Sequence, residues 1–315
     1  MPVARRNADL GGARRSTQDP LGALVLIPNI GIEASRIASV RELFSTDKNG
    51  IPLVRNHLEA VATELGRLAS IDSDSTAKQR ALARVVGYTT FRFNEFLGRR
   101  SFVEWLRLTL AEPGRDPTGL WNYYATLALK DFHVDVGSLM DSVAAVVISI
   151  DGELPDKELE KPPGFADIQR TTNRTYRKEL AADVCETVDA TDAWWLFVKL
   201  VRDLVAHRRH SRLVFGGAED GFRFQVFVPN DIPLVTHPAF RAETGTGIAD
   251  FSLYSSWVLI EVIYFFDSLG KLIKARHGMA DEVLQASGRA GGLRPLIQDS
   301  EMLLRRLSDA YEGRA

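Results

Sequence analysis

The chain has 315 residues, 45% of them hydrophobic, and a net charge of −2, enough for a sizeable core in two ordinary domains or in one with a large insertion. That near-neutral balance excludes a generally basic nucleic-acid binder, so any recognition of anions has to come from a local cluster. A single cysteine, Cys185, excludes an intrachain disulfide and a thiolate metal cage.

Residues 1–19 hold no apolar stretch of signal-peptide length, and Asp9 and Asp19 do not suit a transit peptide, so a disordered arm is expected there. Residues 20–115 read as an N-terminal helical region. Apolar residues recur at Leu53, Leu58, Val61, Leu65 and Leu68, close to the helical period. A second long helix is expected from Thr76 to about Leu97, and a shorter one after Ser101, a suitable N-cap. "EPGRDPTG" at 112–119, with two prolines and two glycines, marks a break, and a boundary is set there.

Residues 116–280 form the second unit. An aromatic-rich helix is expected over about 118–130 and an apolar one over about 134–150, followed by the charged loop "DGELPDKELEKPPG". Short helical pieces lead to a helix that opens near Thr191 and ends near His207. The period then changes: "RLVF" and "FRFQVFV", on either side of "GGAEDG", alternate like two hairpin strands over about 212–228. A long helix follows from about Phe251 to His277, and residues 281–315 supply a linker and a last amphipathic helix near 297–311. No run approaches the roughly 18 uncharged apolar residues of a membrane span. The best one, "WVLIEVIYFFDSLGKLI", is broken by Glu261 and Asp267, and a cytoplasmic protein without membrane contact is expected.

The stretch "VRDLVAHRRHSRLVFGG" carries the densest chemistry. On a wheel at about 100° per residue, Phe197, Val198, Leu200, Val201, Leu204 and Val205 share one broad arc that must be buried. Arg202 and His207 border the remaining strip, with Lys199, Asp203 and the small Ala206 between them. Asp203 stands one turn before His207, close enough to accept its ring proton and fix the tautomer. Upstream the strip becomes apolar, with Trp195 and Leu196, and a partner subunit would cover it. The plain alternative is that cations gather here because a helix C-terminus favours them, by about 0.3–1 kcal/mol each.

"RDLVAH" resembles the signature of the higher eukaryote and prokaryote nucleotide-binding (HEPN) family. That signature is an Arg, preferably followed by Asn, Asp or His, with four to six residues before a His. Arg202, Asp203 and His207 fill those positions at the commonest spacing, and the resemblance extends over residues 117–277. It implies a mainly α fold, a HEPN-like helical bundle into which the hairpin is inserted, with residues 20–115 outside it. It further implies a metal-independent endoribonuclease of toxin–antitoxin or antiviral systems, working without a cofactor on RNA as a homodimer whose two motifs share a cleft, and restrained by an inhibitor or antitoxin. His207 would be the acid/base, Arg202 the phosphate clamp and Asp203 the orienting group. Arg208, Arg209, His210 and Arg212 would track the RNA backbone. Glu261, a lone acid in "WVLIEVIYFF", would support Arg202 or else reach solvent at a bundle edge.

The chemistry suits these residue types. Attack by an RNA 2′-hydroxyl needs proton transfer near neutral pH, which imidazole supplies, and stabilisation of a phosphorane, which a guanidinium fork supplies. Other family members only bind, so a non-catalytic helical nucleotide- or protein-binding module is the competing expectation, and a hydrolase assembled from distant segments is a third. "DFHVDV" places Asp131, His133 and Asp135 at alternating positions, but the helical flanks scatter them, so an interhelical turn is expected there rather than a metal site. "GTGIAD" and "GRAGG" lack the preceding strand and the Lys-Ser/Thr of a phosphate cradle.

Overall fold

A computed structural model describes residues 44–46, 52–55, 61, 77–111, 120–151, 163–169, 174–207, 214–215, 223–227, 246–279 and 285–287. The N-terminal arm, the "EPGRDPTG" break, most of the charged loop, the turn of the expected hairpin and the last helix lie outside the described residues. The described protein is mainly α.

Near the N-terminus, β1 (Phe44–Thr46) pairs antiparallel with β2 (Pro52–Arg55). The helix expected from Leu53 therefore does not begin there. "IPLV" is a short apolar run with two β-branched residues and a proline, a pattern that periodicity alone cannot assign. Helix α1 (Ala77–Ala111) runs unbroken through Ser101, which sits half-buried inside it rather than capping a second helix. Just before it, Arg100 is fully buried and its Nε donates to Ser255 Oγ at 3.2 Å, so a long-range tie holds the chain helical where a local cap was expected.

Helix α2 (Trp121–Asp151) likewise joins the two helices expected at 118–130 and 134–150. The turn expected at "DFHVDV" is a helical turn. His133 is fully buried there, with Nδ1–H donated to the Leu129 carbonyl at 2.8 Å and Nε2 accepting from the Tyr254 hydroxyl at 3.0 Å. Asp131 and Asp135, one turn apart, both face Arg99 of α1, at 3.5 and 2.9 Å. The helix thus scatters the three residues, and Arg99 of α1 claims the acids. Ser142 and Ser149 return their hydroxyls to carbonyls of the preceding turn, so the buried half of α2 keeps its polar atoms satisfied. By length and composition α2 could cross a membrane, although no such run was expected; 78% of its most apolar 18-residue window is buried inside the protein, as in a core helix.

Short helices α3 (Phe165–Gln169), α4 (Arg174–Arg177) and α5 (Ala182–Asp189) lead to α6 (Asp192–His207). Strands β3 (Val214–Phe215), β4 (Arg223–Phe227) and β5 (Thr246–Asp250) form an antiparallel set in that order. Helix α7 (Phe251–His277) follows directly, and β6 (Gln285–Ser287) pairs with β2. The core lies among α1, α2, α6 and α7, where an aromatic seam of Phe96, Phe132, Phe251 and Tyr254 crosses three helices with ring centroids 5.0–6.3 Å apart.

Burial pushes the His133 imidazole down to about 4 against the pull of its bond to Leu129. The unfolded chain takes up a proton at this site below about pH 6.5 while the folded chain does not, so stability falls as pH drops from about 6.5 to about 4, by on the order of 3 kcal/mol. Urea denaturation of wild type and His133→Gln across that range checks this: the variant is expected to lose most of the slope between pH 6 and 4.5.

Candidate functional site

Helix α6 starts where the sequence places it. The Thr191 carbonyl accepts from the Trp194 and Trp195 N–H groups at 3.1 and 2.8 Å, and Asp192 sits in the first turn, where a carboxylate suits the dipole. Gln169 of α3 donates to Thr191 Oγ1 at 3.0 Å and to Asp192 Oδ1 at 2.8 Å, which ties the helix to its neighbour. Phe197, Val198 and Val201 are buried as their arc requires. Trp195 is buried too, edge-on to Phe165 with centroids 6.0 Å apart, so the expected apolar strip upstream of Arg202 reduces to Leu196, which is 55% exposed.

The polar strip is organised around Asp203. Its Oδ1 accepts from Arg202 Nε at 3.1 Å and Nη2 at 2.9 Å, and its Oδ2 from Lys199 Nζ at 2.8 Å. Partial burial raises the affinity of this carboxyl for its proton, but the bonds from Lys199 and Arg202 outweigh it and hold the group below the usual carboxylate range. Both oxygens thus serve cations of their own helix. Asp203 fixes the guanidinium, with one edge of the fork engaged and no protein partner on Nη1 among the described residues.

A second restraint comes from α2. The Arg202 side chain crosses that helix at Gly137: a Cβ added there would stand 2.7 Å from Arg202 Cδ and 2.8 Å from Nη1. The glycine is buried and leaves the space that the Arg202 side chain fills, with 21% of that side chain still exposed. Sequence reasoning missed both supports. The Lys199–Asp203 spacing of four was a readable signal; a lone glycine in an apolar helix only hints at a close approach.

The structure brings together Lys199, Arg202, Asp203 and Gly137. His207 is the last residue of α6, and its side chain lies outside the described residues, as do Arg208, Arg209, His210 and Arg212. Glu261 is placed elsewhere. It is 4% exposed and lines a cavity of about 320 Å³ together with Thr191, Trp194, Asp183 and Glu186. Trp194 lies eight residues before Arg202, roughly 12 Å along the helix, so Glu261 belongs to the other end of α6 and neither supports Arg202 nor sits at an open edge. Among the described residues no three His, Cys, Asp or Glu side chains cluster as a metal site. No family model matches the chain, and no curated protein or solved structure matches it.

Gly137→Ala isolates the berth. Alanine favours the helix by about 1 kcal/mol, and the side chain it meets is flexible, so Tm is expected to hold or rise slightly. The Arg202 guanidinium is expected to leave α2 for solvent, read as a loss of dispersion of its Nε–H resonance. A clear fall in Tm with that resonance unmoved would contradict the close approach.

Proposed function

We propose that the chain is a metal-independent endoribonuclease of the HEPN type. On this reading residues 116–280 are a HEPN-like bundle carrying a β-hairpin insertion, two copies work together, and the protein acts in the cytoplasm as a toxin or antiviral effector held in check by an inhibitor or antitoxin. The observation that carries the reading is the state of Arg202. It stands near the end of an amphipathic helix, partly exposed, gripped along one edge by Asp203 and laid over Gly137. A guanidinium held in place by Asp203 and α2, with 21% of its side chain still exposed, suits a phosphorane clamp, because it needs little reorganisation when charge develops.

His207 lies five residues on, at the end of the same helix. As base it takes the proton of the RNA 2′-hydroxyl while that oxygen attacks phosphorus; as acid it returns a proton to the departing 5′-oxygen. The products are a 2′,3′-cyclic phosphate and a 5′-hydroxyl end. Arg208, Arg209, His210 and Arg212 extend the positive charge along the RNA backbone. Asp203 is a positioning carboxylate, and Lys199 shares that task.

Cleavage of single-stranded RNA in EDTA is the test. Wild type is expected to cut. His207→Ala and Arg202→Ala are each expected to lower the rate by roughly 10²–10⁴-fold while the folded signal by circular dichroism is retained. Intact RNA with a well-folded wild type would end the proposal.

A second reading, a non-catalytic module that binds a nucleotide or a protein, is favoured by one observation: the charge of Arg202 is already balanced by Asp203. It expects RNA or nucleotide binding that His207→Ala leaves unchanged, with no cleavage in either protein.

A further inference from the structure

Helix α1 presents an unusual solvent face. Phe91 and Trp105 are 58% and 57% exposed, and Phe102, stacked on Trp105 at 5.8 Å, is 43% exposed. Gly87 and Gly98 are exposed on the same helix, and a Cβ at either would meet nothing within 4 Å. At about 100° per residue Arg84, Gly87, Phe91, Gly98, Phe102 and Trp105 fall within an arc of roughly 60°. The face therefore alternates large and absent side chains along one line. Glycine in a solvated helix is a poor choice beside alanine unless something must come close.

The alternation matches itself when reversed. Lay two copies of α1 antiparallel about a two-fold axis between Asn94 and Glu95. Phe91 of each then stands opposite Gly98 of the other, Phe102 opposite Gly87, and the Arg84 guanidinium over the Trp105 ring, a cation–π pair. Two large-to-small matches and one charge-to-ring match arise from a single register. Glu95 nearest the axis is already paired with Arg92 at 2.7 Å, so two acids do not meet unscreened.

The extent of the surface agrees. Tyr123, Tyr124, Leu127 and Val134 of α2 and Leu108 of α1 are exposed by 41–59% and widen the apolar surface. At roughly 100 Å² of open area for each half-exposed large side chain, the α1–α2 pair shows on the order of 800 Å². That exceeds the few hundred Å² usual on a monomer and reaches the ~800 Å² that each partner gives to a stable interface.

We infer that α1 is the contact face for a second copy of this chain, joined antiparallel through Phe91–Gly98 and Phe102–Gly87 matches. The symmetry is isologous, as a two-fold dimer requires. The inference is independent of whether Arg202 and His207 cut RNA.

Sedimentation velocity of the full-length protein tests it, with no RNA present. Wild type is expected to be dimeric at micromolar concentration. Gly98→Phe fills the seat of the partner's Phe91 and is expected to weaken association by roughly a hundredfold or more, while the open surroundings of Gly98 leave the monomer folded. Adding Phe91→Ala to Gly98→Phe exchanges knob and hole and is expected to restore association to within about tenfold of wild type. A wild type that stays monomeric overturns the inference, including one that instead floats with vesicles of anionic lipid. So does a Gly98→Phe protein that associates normally, or a double variant no better than Gly98→Phe alone.

Discussion

From Leu139 to Ile150 helix α2 offers the solvent nothing but the half-buried Asp141. A helix enclosed in this way must be covered on every side, and the covering fixes the places of the other helices. It also obliges every polar atom on it to find a partner within the protein, since an orphaned buried group costs about 1–3 kcal/mol. Ser142 and Ser149 comply by bonding back to their own helix, His133 by bridging to Tyr254, and Asp141 by accepting from the Phe165 amide. That last bond joins α2 to the short helix α3, which in turn ties down the start of α6 through Gln169. The position of the candidate site thus follows from enclosure of α2.

The same enclosure explains why Arg202 lies where it does. A guanidinium beside an apolar helix loses hydration and must be compensated. Asp203 compensates the charge, and Gly137 removes the side chain that would otherwise keep the group at a distance. Lys199 bonds the second oxygen of the same carboxylate, so the trio carries one cation in surplus. That surplus is what an anionic ligand would meet.

Sequence pattern located α6 and α7 to within a residue, because each has a long amphipathic or apolar run with clear ends. It divided α1 at Ser101 and α2 near Asp131 because serine and aspartate are cap-forming residues wherever local chemistry decides. At both points contacts more than a hundred residues away decided instead: Arg100 to Ser255 and His133 to Tyr254. The side chains of Leu200, Leu204, Val205, Ala206 and His207 lie outside the described residues, while the start of α6 and the burial of Phe197, Val198 and Val201 were readable from spacing. The berth at Gly137 was not, since it depends on where α6 crosses α2. Nor was the place of Glu261, whose burial beside Trp194 depends on how α7 lies against α5 and α6. An acid in an apolar run shows that a polar partner or cavity is near, without showing which helix supplies it.

The two surfaces of interest are held apart by α2 itself. Asp135 reaches toward α1 through Arg99, and Gly137 receives Arg202 from α6. Two residues along a helix turn the direction by about 200°, so α1 and α6 grip α2 from nearly opposite sides. A two-fold contact through α1 therefore does not by itself bring two α6 ends together. If two motifs are to share one cleft, the strip from Leu196 to His207 must meet a partner in its own right, or must close over RNA alone. Leu196, exposed one turn before Lys199, is the residue whose covering separates those arrangements, since a protein partner on this strip would bury it.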